Sequence, residues 1–577
     1  MVALLVLPGL LPAAGCGGSG GPRPTAVLLI TVDTLRPDAL GFIGGRTQTP
    51  AVDGLAAEGY AFPAAMAPAP ITLPSHTSLM SGLIPPRHGV RDNGQTVNPG
   101  VRTLAQALSE AGFATGAFVS GFPLQAMFGL DRGFDVYDDI LTRGTEGWLE
   151  RPAPETAEAA AVWIRSQHGP WFAWVHFYDP HDPYEPPRTF WKPGDRGAYD
   201  GEVEFTDHAI RQLLDAVPEA ARPGLLTVFT ADHAEALGEH AERQHGYFAY
   251  QSTLAVPLII HHPPGIETGA SDAPVRLVDV APTVVDLLGL PELGAVDGVS
   301  IRAILVGREQ ALPPTYFETE LPWRYFGWAP LYGIRDGDWK LVDAPRSELY
   351  DLSKDPGETV NLIDSRARRA QDLRDLLDSL DRDGDAAEAI EDPDLLARLN
   401  ALGYLGGKDP AAIPAGDLPD PKDRIELREK LRLAEGAMRG GDLAGAVALF
   451  DEVLRVEPGN RAATLRSGIA LMRLEHLARA VERLESAVEL DPERSEARFA
   501  LGDALMRAAR PEPAARQWME LARLQPRRVE AWSNLGAALM LLERFDEAAQ
   551  AFGEAAALAP NDPRHARDVE RARTATR

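Results

Sequence analysis

The sequence predicts an α/β body followed by an all-α repeat array. Three observations carry that reading. Long apolar runs, "AVLLITVD", "WFAWVHFYD" and "LLTVFTADH", lie in the N-terminal half. Uninterrupted apolar runs of this length suit strands buried on both faces. Helical patterns such as "VRTLAQALSEAGF" and "EFTDHAIRQLLDAV" lie between them, so a mostly parallel sheet with helices on both faces follows. In the last third, Pro458, Pro492, Pro526 and Pro560 recur at a constant step of 34 residues.

The first segment precedes the folded body. "MVALLVLPGLLPAAG" leads to Cys16, the one cysteine in 577 residues. This run is shorter than the roughly 20 apolar residues that a bilayer-spanning helix needs. It reads as a signal-peptide core with its cleavage site. "PAAGC" resembles the lipobox of bacterial lipoproteins. That resemblance implies a signal over residues 1–16, a lipid anchor on Cys16 and an extracytoplasmic location, periplasmic or cell-surface. A plain secretory signal is the alternative. Residues 17–24 are glycine-rich and read as a flexible tether. A single cysteine excludes a disulfide framework within the chain.

Residues 25–406 read as the α/β body. The net charge of −27, from 84 acids against 57 bases, argues against a nucleic-acid partner, because the phosphate backbone would be repelled. It does not exclude a small anion, since a metal ion inverts the local field. Sites in open α/β sheets form beyond the carboxyl ends of the strands. The three apolar runs end there in Asp33, in Asp179 with His181 close behind, and in the pair Asp232–His233. Eleven of the thirteen histidines precede Pro263. Thr72 opens "TLPSHTSLMSG", where Pro74 marks the first turn of a helix. A hydroxyl at that position meets free N–H groups and the positive end of the helix dipole. Contact with a metal would ease loss of its proton and make it a nucleophile. "DGDWKLV" and "SELYDLSKDP" predict a small antiparallel sheet late in the body. Asp182, Glu239 and His240 read as solvated loop residues, and His261–His262 as a strand end.

Residues 407–424, rich in Pro, Gly and Asp, read as a linker. From residue 425 onward the 34-residue step also relates Ala446, Ala480, Ala514 and Ala548, and Gly468, Gly502 and Gly536. Small residues at helix crossings and proline at the turn are the tetratricopeptide signature. A charged closing helix completes residues 425–577. Such a stack offers a concave surface to a protein partner, and its two histidines, His476 and His565, fall at unrelated repeat positions.

Several segments of the body resemble the alkaline phosphatase superfamily and, within it, the sulfatases. They are "ITVDTLRPD", "TLPSHTSLMSG", "HFYDPHDPYEPP", "TADHAEALGEH", "VDVAPTVVDLLGLP" and "GDWKLVDAPRSELYDLSKDPGETVNL". The resemblance implies an alkaline-phosphatase-like fold and hydrolysis of sulfate or phosphate esters. Two departures refine it. Thr72 stands where sulfatases oxidise Cys or Ser to formylglycine, and His76 replaces the signature Arg. Threonine cannot yield that aldehyde. Asp33–Thr34 replaces two adjacent acids, and Asp232–His233 replaces Asp-Asn. An imidazole ligand favours Zn or Mn over Ca. The set Asp33, Thr72, Asp232, His233 is similar to that of threonine-nucleophile relatives such as the nucleotide pyrophosphatases. It implies one divalent ion, with Asp179, His181 and His245 as the residues that could supply a second. It further implies a covalent Thr72 intermediate, with His181 and then His245 protonating the leaving group. His76, His176 and Asp179 are the implied substrate contacts. Two alternatives remain at this point: a phospho-group transferase of the same superfamily, and an inert sulfatase-like scaffold whose repeats bind partners.

Overall fold

The computed structural model describes residues 23–145, 148–262, 264–380, 387–389 and 418–575. The predicted signal with Cys16, and most of the predicted tether and linker, lie outside these residues.

The body is built on one eight-stranded sheet. Its strands are β1 (Ala26–Val32), β2 (Tyr60–Met66), β3 (Ala114–Val119), β4 (Val136–Asp138), β5 (Trp171–Phe177), β6 (Leu225–Ala231), β7 (Ala255–His261) and β8 (Gly269–Ala270). The order across the sheet is β8-β2-β7-β6-β1-β5-β3-β4. Seven strands run parallel to a neighbour, five of them around the central β1, while β7 runs antiparallel to both β6 and β2. The three apolar runs read from the sequence are β1, β5 and β6, and every residue of each is buried. They are adjacent, which explains their lack of polar alternation. Their register is level: Val32 lies opposite both Phe177 and Ala231. Asp33, Tyr178 and Asp232 therefore leave the sheet side by side.

Helices α1 (Pro50–Glu58) and α2 (Thr72–Ser81) follow β1 and β2. Thr72 is the first residue of α2, as the sequence predicted, and all ten residues of the helix are buried. A second, four-stranded antiparallel sheet comprises β9 (Thr315–Thr319), β10 (Leu331–Asp336), β11 (Trp339–Asp343) and β12 (Glu348–Asp351) in sequence order. Asp336 pairs with Trp339, so two residues make the turn, and Gly337 takes the positive φ of 62° that such a turn requires.

Helices Ile425–Arg439 through Pro563–Ala575 form the repeat array. The second helix of each pair ends at Val456, Leu490, Leu524 or Leu558, two residues before one of the periodic prolines. The periodic glycines sit where helices touch. A Cβ on Gly468, Gly502 or Gly536 would lie 2.7, 2.6 or 2.7 Å from the side chain of Leu484, Trp518 or Phe552. Those three large residues themselves recur at the 34-residue step.

The array is not detached from the body. Leu431, Ala434 and Phe450 belong to the same buried apolar cluster as the strands of the main sheet. The last residues of the stretch read as a linker are docked: Asp420 accepts from the Arg346 N–H at 2.9 Å, and the Ala329 N–H donates to the Pro419 carbonyl at 2.8 Å. Among the described residues no helix is long and apolar enough to cross a membrane.

Candidate active site

The site forms where β1, β6 and α2 meet. Asp33 follows β1 and Asp232–His233 follow β6. The Ser75 hydroxyl, one turn into α2, donates to the Asp232 carbonyl at 2.6 Å and pins the helix to that strand end. Thr72 thereby comes to Asp33, with its hydroxyl 3.5 Å from Oδ2. Next to Asp33, Thr34 holds a φ of 52°, which is costly for a β-branched residue. Two hydrogen bonds hold it there. Its hydroxyl donates to the Pro180 carbonyl at 2.7 Å, and the Tyr199 hydroxyl donates to its own carbonyl at 2.9 Å.

Oδ1 of Asp33, Oδ2 of Asp232 and Nε2 of His233 are buried and have no hydrogen-bond partner. His233 Nε2 lies 3.8 Å from Asp33 Oδ1 and 3.4 Å from Asp232 Oδ2. His233 Nδ1 donates to the Ala234 carbonyl at 3.1 Å, so Nε2 presents a lone pair. Three acceptors thus face one another in a buried pocket. Burial pushes the Asp33 carboxyl up, against the pull of His181 and His245. Burial and the Asp33 charge push Asp232 well up, and burial holds His233 well below the ordinary imidazole range. Such a set is unfavourable empty-handed and fits a divalent cation. Among the described residues these three form the one cluster with metal-ligand spacing. Two carboxylates and an imidazole, with the Thr72 hydroxyl beside them, are a mixed O/N donor set.

A ring of histidines surrounds the cluster. His181 Nδ1 donates to the Asp182 carbonyl at 2.6 Å, and the ring stacks on Tyr178 at 4.4 Å. His245 Nδ1 lies 3.0 Å from Glu235 Oε1, with its ring 4.4 Å from His233 and 5.2 Å from His181. Burial pushes His245 down to about 4, against the pull of Asp33 and Asp182. Glu235 also accepts from the Tyr184 hydroxyl at 2.8 Å. His76 and His176 lie deeper. His76 Nδ1 donates to the Thr72 carbonyl at 2.9 Å, and its Nε2 lies 3.2 Å from the Thr31 hydroxyl. His176 shares that hydroxyl at 3.0 Å, with its Nε2 3.6 Å from Asp33 Oδ2. Burial holds His176 down at about 3. Both rings are fully buried, so they back Thr72 and Asp33 from inside the protein. Asp179 leaves the end of β5 partly buried.

Three residues were missed at the sequence level. Asn93 is fully buried, and its Oδ1 accepts from the Leu73 N–H at 2.8 Å while Nδ2 has no partner. It caps the first turn of α2 and leaves an amide donor beside Thr72. Its surroundings, "RDNGQT", carry an Asn-Gly turn signal and nothing that marks a site. Arg36 donates to the Glu235 carbonyl at 2.7 Å and pairs with Asp38 and Glu239, tying the loops after β1 and β6 together. Gln244, ahead of His245, donates to Asp182 Oδ2 at 3.0 Å. Asp182 and Glu239, expected as solvated loop residues, therefore have structural partners. His240 stacks on Tyr250 with ring centroids 3.6 Å apart.

Fold and site together define a hydrolase of the alkaline-phosphatase type. The sulfatase family profile matches residues 25–290, and that of the N-sulphoglucosamine sulphohydrolase C-terminal region matches 238–383. Tetratricopeptide-repeat profiles match 431–474, 465–526 and 529–562. The chain is 24% identical over 442 residues to the uncharacterized sulfatase YidJ of Escherichia coli, covering 62% of this chain and 88% of that one. It is 26% identical over 387 residues to a choline-sulfatase of Rhizobium meliloti, covering 51% and 74%. A phosphonate monoester hydrolase of Agrobacterium radiobacter has the same fold, with a TM-score of 0.53, 22% identity and coverage of 62% and 96%. So does the 2-O GAG sulfatase BT1596, with a TM-score of 0.53, 20% identity and coverage of 70% and 100%. Residues 25–383 belong to the sulfatase family, on an alkaline-phosphatase-like fold, and tetratricopeptide repeats follow at the C-terminal end. By class it is a sulfuric ester hydrolase.

Proposed function

We propose that the chain hydrolyses sulfate or phosphate esters by way of a covalent intermediate on Thr72. The observation that carries this reading is the convergence of the Thr72 hydroxyl on Asp33 beside three unpartnered acceptors. A divalent ion held by Asp33, Asp232, His233 and Thr72, with Zn or Mn favoured by the imidazole, would lower the hydroxyl pKa and offset the substrate's charge.

The chain's own groups do the rest. Thr72 Oγ1 attacks sulfur or phosphorus in line; that bond forms as the bond to the leaving oxygen breaks. His181, whose Nδ1 proton is committed to Asp182, takes the hydroxyl proton at Nε2. His245, whose Nδ1 lies 3.0 Å from the Glu235 carboxyl, delivers its Nε2 proton to the leaving oxygen and takes up at Nδ1 the proton that burial holds on Glu235. Hydrolysis reverses both transfers: water gives its proton to His245, and His181 returns one to Thr72. The Asn93 amide, whose Nδ2 has no partner within the protein, faces the developing charge on the anion.

Purified protein from Gly17 onward, assayed for bound metal and for turnover of aryl sulfate, phosphate diester and phosphonate monoester, tests this. Turnover lost in Thr72→Ala, with a sulfated or phosphorylated Thr72 peptide in quenched wild-type enzyme, supports the reading. Turnover that survives Thr72→Ala removes Thr72 from the mechanism. The lipobox-like "PAAGC" supports a lipid anchor on Cys16 and an extracytoplasmic site of action. Labelling with a radioactive fatty acid, abolished in Cys16→Ser, checks it. The repeats are suited to a protein partner.

A further inference from the structure

The first repeat helix, Ile425–Arg439, reaches the catalytic loops. Arg428 on that helix donates to Gln244 Oε1 at 2.9 Å, and its guanidinium lies 4.6 Å from the centre of the Tyr247 ring. The Gln244 amide donates in turn to Asp182 Oδ2 at 3.0 Å. Only one orientation of that amide serves both partners, with oxygen toward the arginine and nitrogen toward the carboxylate. Gln244 is bonded to His245, and Asp182 to His181. The two imidazoles that face the metal cluster thus sit on loops cross-linked through one glutamine, and the glutamine is oriented from the repeats. Glu242 braces the same loop, with Oε1 accepting from the N–H groups of Tyr247 and Phe248 at 2.9 and 3.2 Å.

We infer that the first repeat is part of the catalytic unit, and that Arg428 is a positioning residue acting through Gln244 on His181 and His245. This rests on the role given above to the two imidazoles. A half-buried, forked, charge-bearing donor suits the task, because it fixes direction as well as distance. The short path from α-helical repeat to imidazole also gives a partner on the repeats a route to the site.

The test uses the full chain from Gly17 onward, with Arg428→Ala, Gln244→Ala, the double variant and Arg428→Lys. With p-nitrophenyl sulfate and p-nitrophenyl phenylphosphonate as probes, Arg428→Ala lowers kcat by on the order of 10-fold with KM little changed. Gln244→Ala has a similar effect, and the double variant is no worse than either single one. Arg428→Lys restores only part of kcat, since lysine lacks the fork. Hydrogen exchange gives a readout independent of turnover: amides of residues 242–247 and 181–185 exchange faster in Arg428→Ala, while those of α2 and the bound-metal content stay as in wild type. Unchanged exchange in both loops, or a kcat loss that multiplies in the double variant, overturns the inference. Thr72→Ala run alongside separates the two ideas: activity that survives it sinks the mechanism, whereas a dead Thr72→Ala with a normal Arg428→Ala sinks only the role of Arg428.

Discussion

The catalytic pocket and the repeat array solve opposite problems. The pocket gathers Asp33, Thr72, Asp232 and His233 from three elements and leaves three of their polar atoms unsatisfied. The array repeats one apolar contact at a fixed step and buries Phe450, Leu484, Trp518 and Phe552 in turn. One region accepts local instability for chemistry; the other contributes stability with no cluster of metal-ligand spacing among its described residues. Substitutions should therefore separate cleanly, with pocket changes read in turnover and metal content and array changes read in melting.

The largest effect is expected in the pocket. His233→Ala removes an imidazole ligand and leaves two buried carboxylates facing each other, so the chain loses most of its bound divalent ion and turnover falls at least about 100-fold; metal analysis by mass spectrometry with parallel kinetics checks this. A protein that keeps its metal would dissolve the comparison. Asn93→Asp sharpens it further. The carboxylate still caps Leu73 but no longer offers the amide donor, so kcat drops by about 10²-fold with the helix content of the chain unchanged by circular dichroism. In the array, Gly502→Ala adds a methyl 2.6 Å from the Trp518 ring. Overpacking of this kind costs about 1–3 kcal/mol, seen as a lower melting temperature with kcat and bound metal intact.

A further effect lies between the two regions and depends on pH. Burial raises the Glu242 carboxyl to about 8, against the pull of the Tyr247 and Phe248 N–H groups. The folded chain therefore takes up a proton that the unfolded chain binds only near the ordinary value of 4.5. This contribution to stability is present below pH 4.5 and is lost as pH rises toward 8. Glu242→Gln keeps the acceptor and removes the titration. It should raise the melting temperature at pH 8 to 9 and leave it unchanged at pH 5. A variant that melts like wild type across that range would show that Glu242 stays ionised in the fold.

Much of this was readable beforehand, for different reasons in the two regions. The array was legible because its contacts are nearly all between successive helices, within a repeat or with the next one, so the period in the sequence is the period in space. The start of α2 at Thr72 was legible because helix starts are written in local residue types. Asn93 was not, since its value depends on a loop folding back onto a helix that begins about twenty residues earlier. Asp182 and Glu239 read as solvent-facing because charged residues in turns usually are. Their partners, Gln244 and Arg36, come from other loops that no local pattern links to them.

By itself the sequence determined the three central strands β1, β5 and β6, the helix start near Thr72, the metal-ligand residue types at the strand ends and the 34-residue repeat, because these follow from backbone periodicity and near neighbours. Only the tertiary structure decided that β1 lies between β5 and β6 in level register, which is what brings Asp33 to Asp232 and His233. It alone decided that the first repeat helix docks on the loops carrying His181 and His245. Strand order and docking are set by burial summed over the whole chain, and no stretch of residues records that sum.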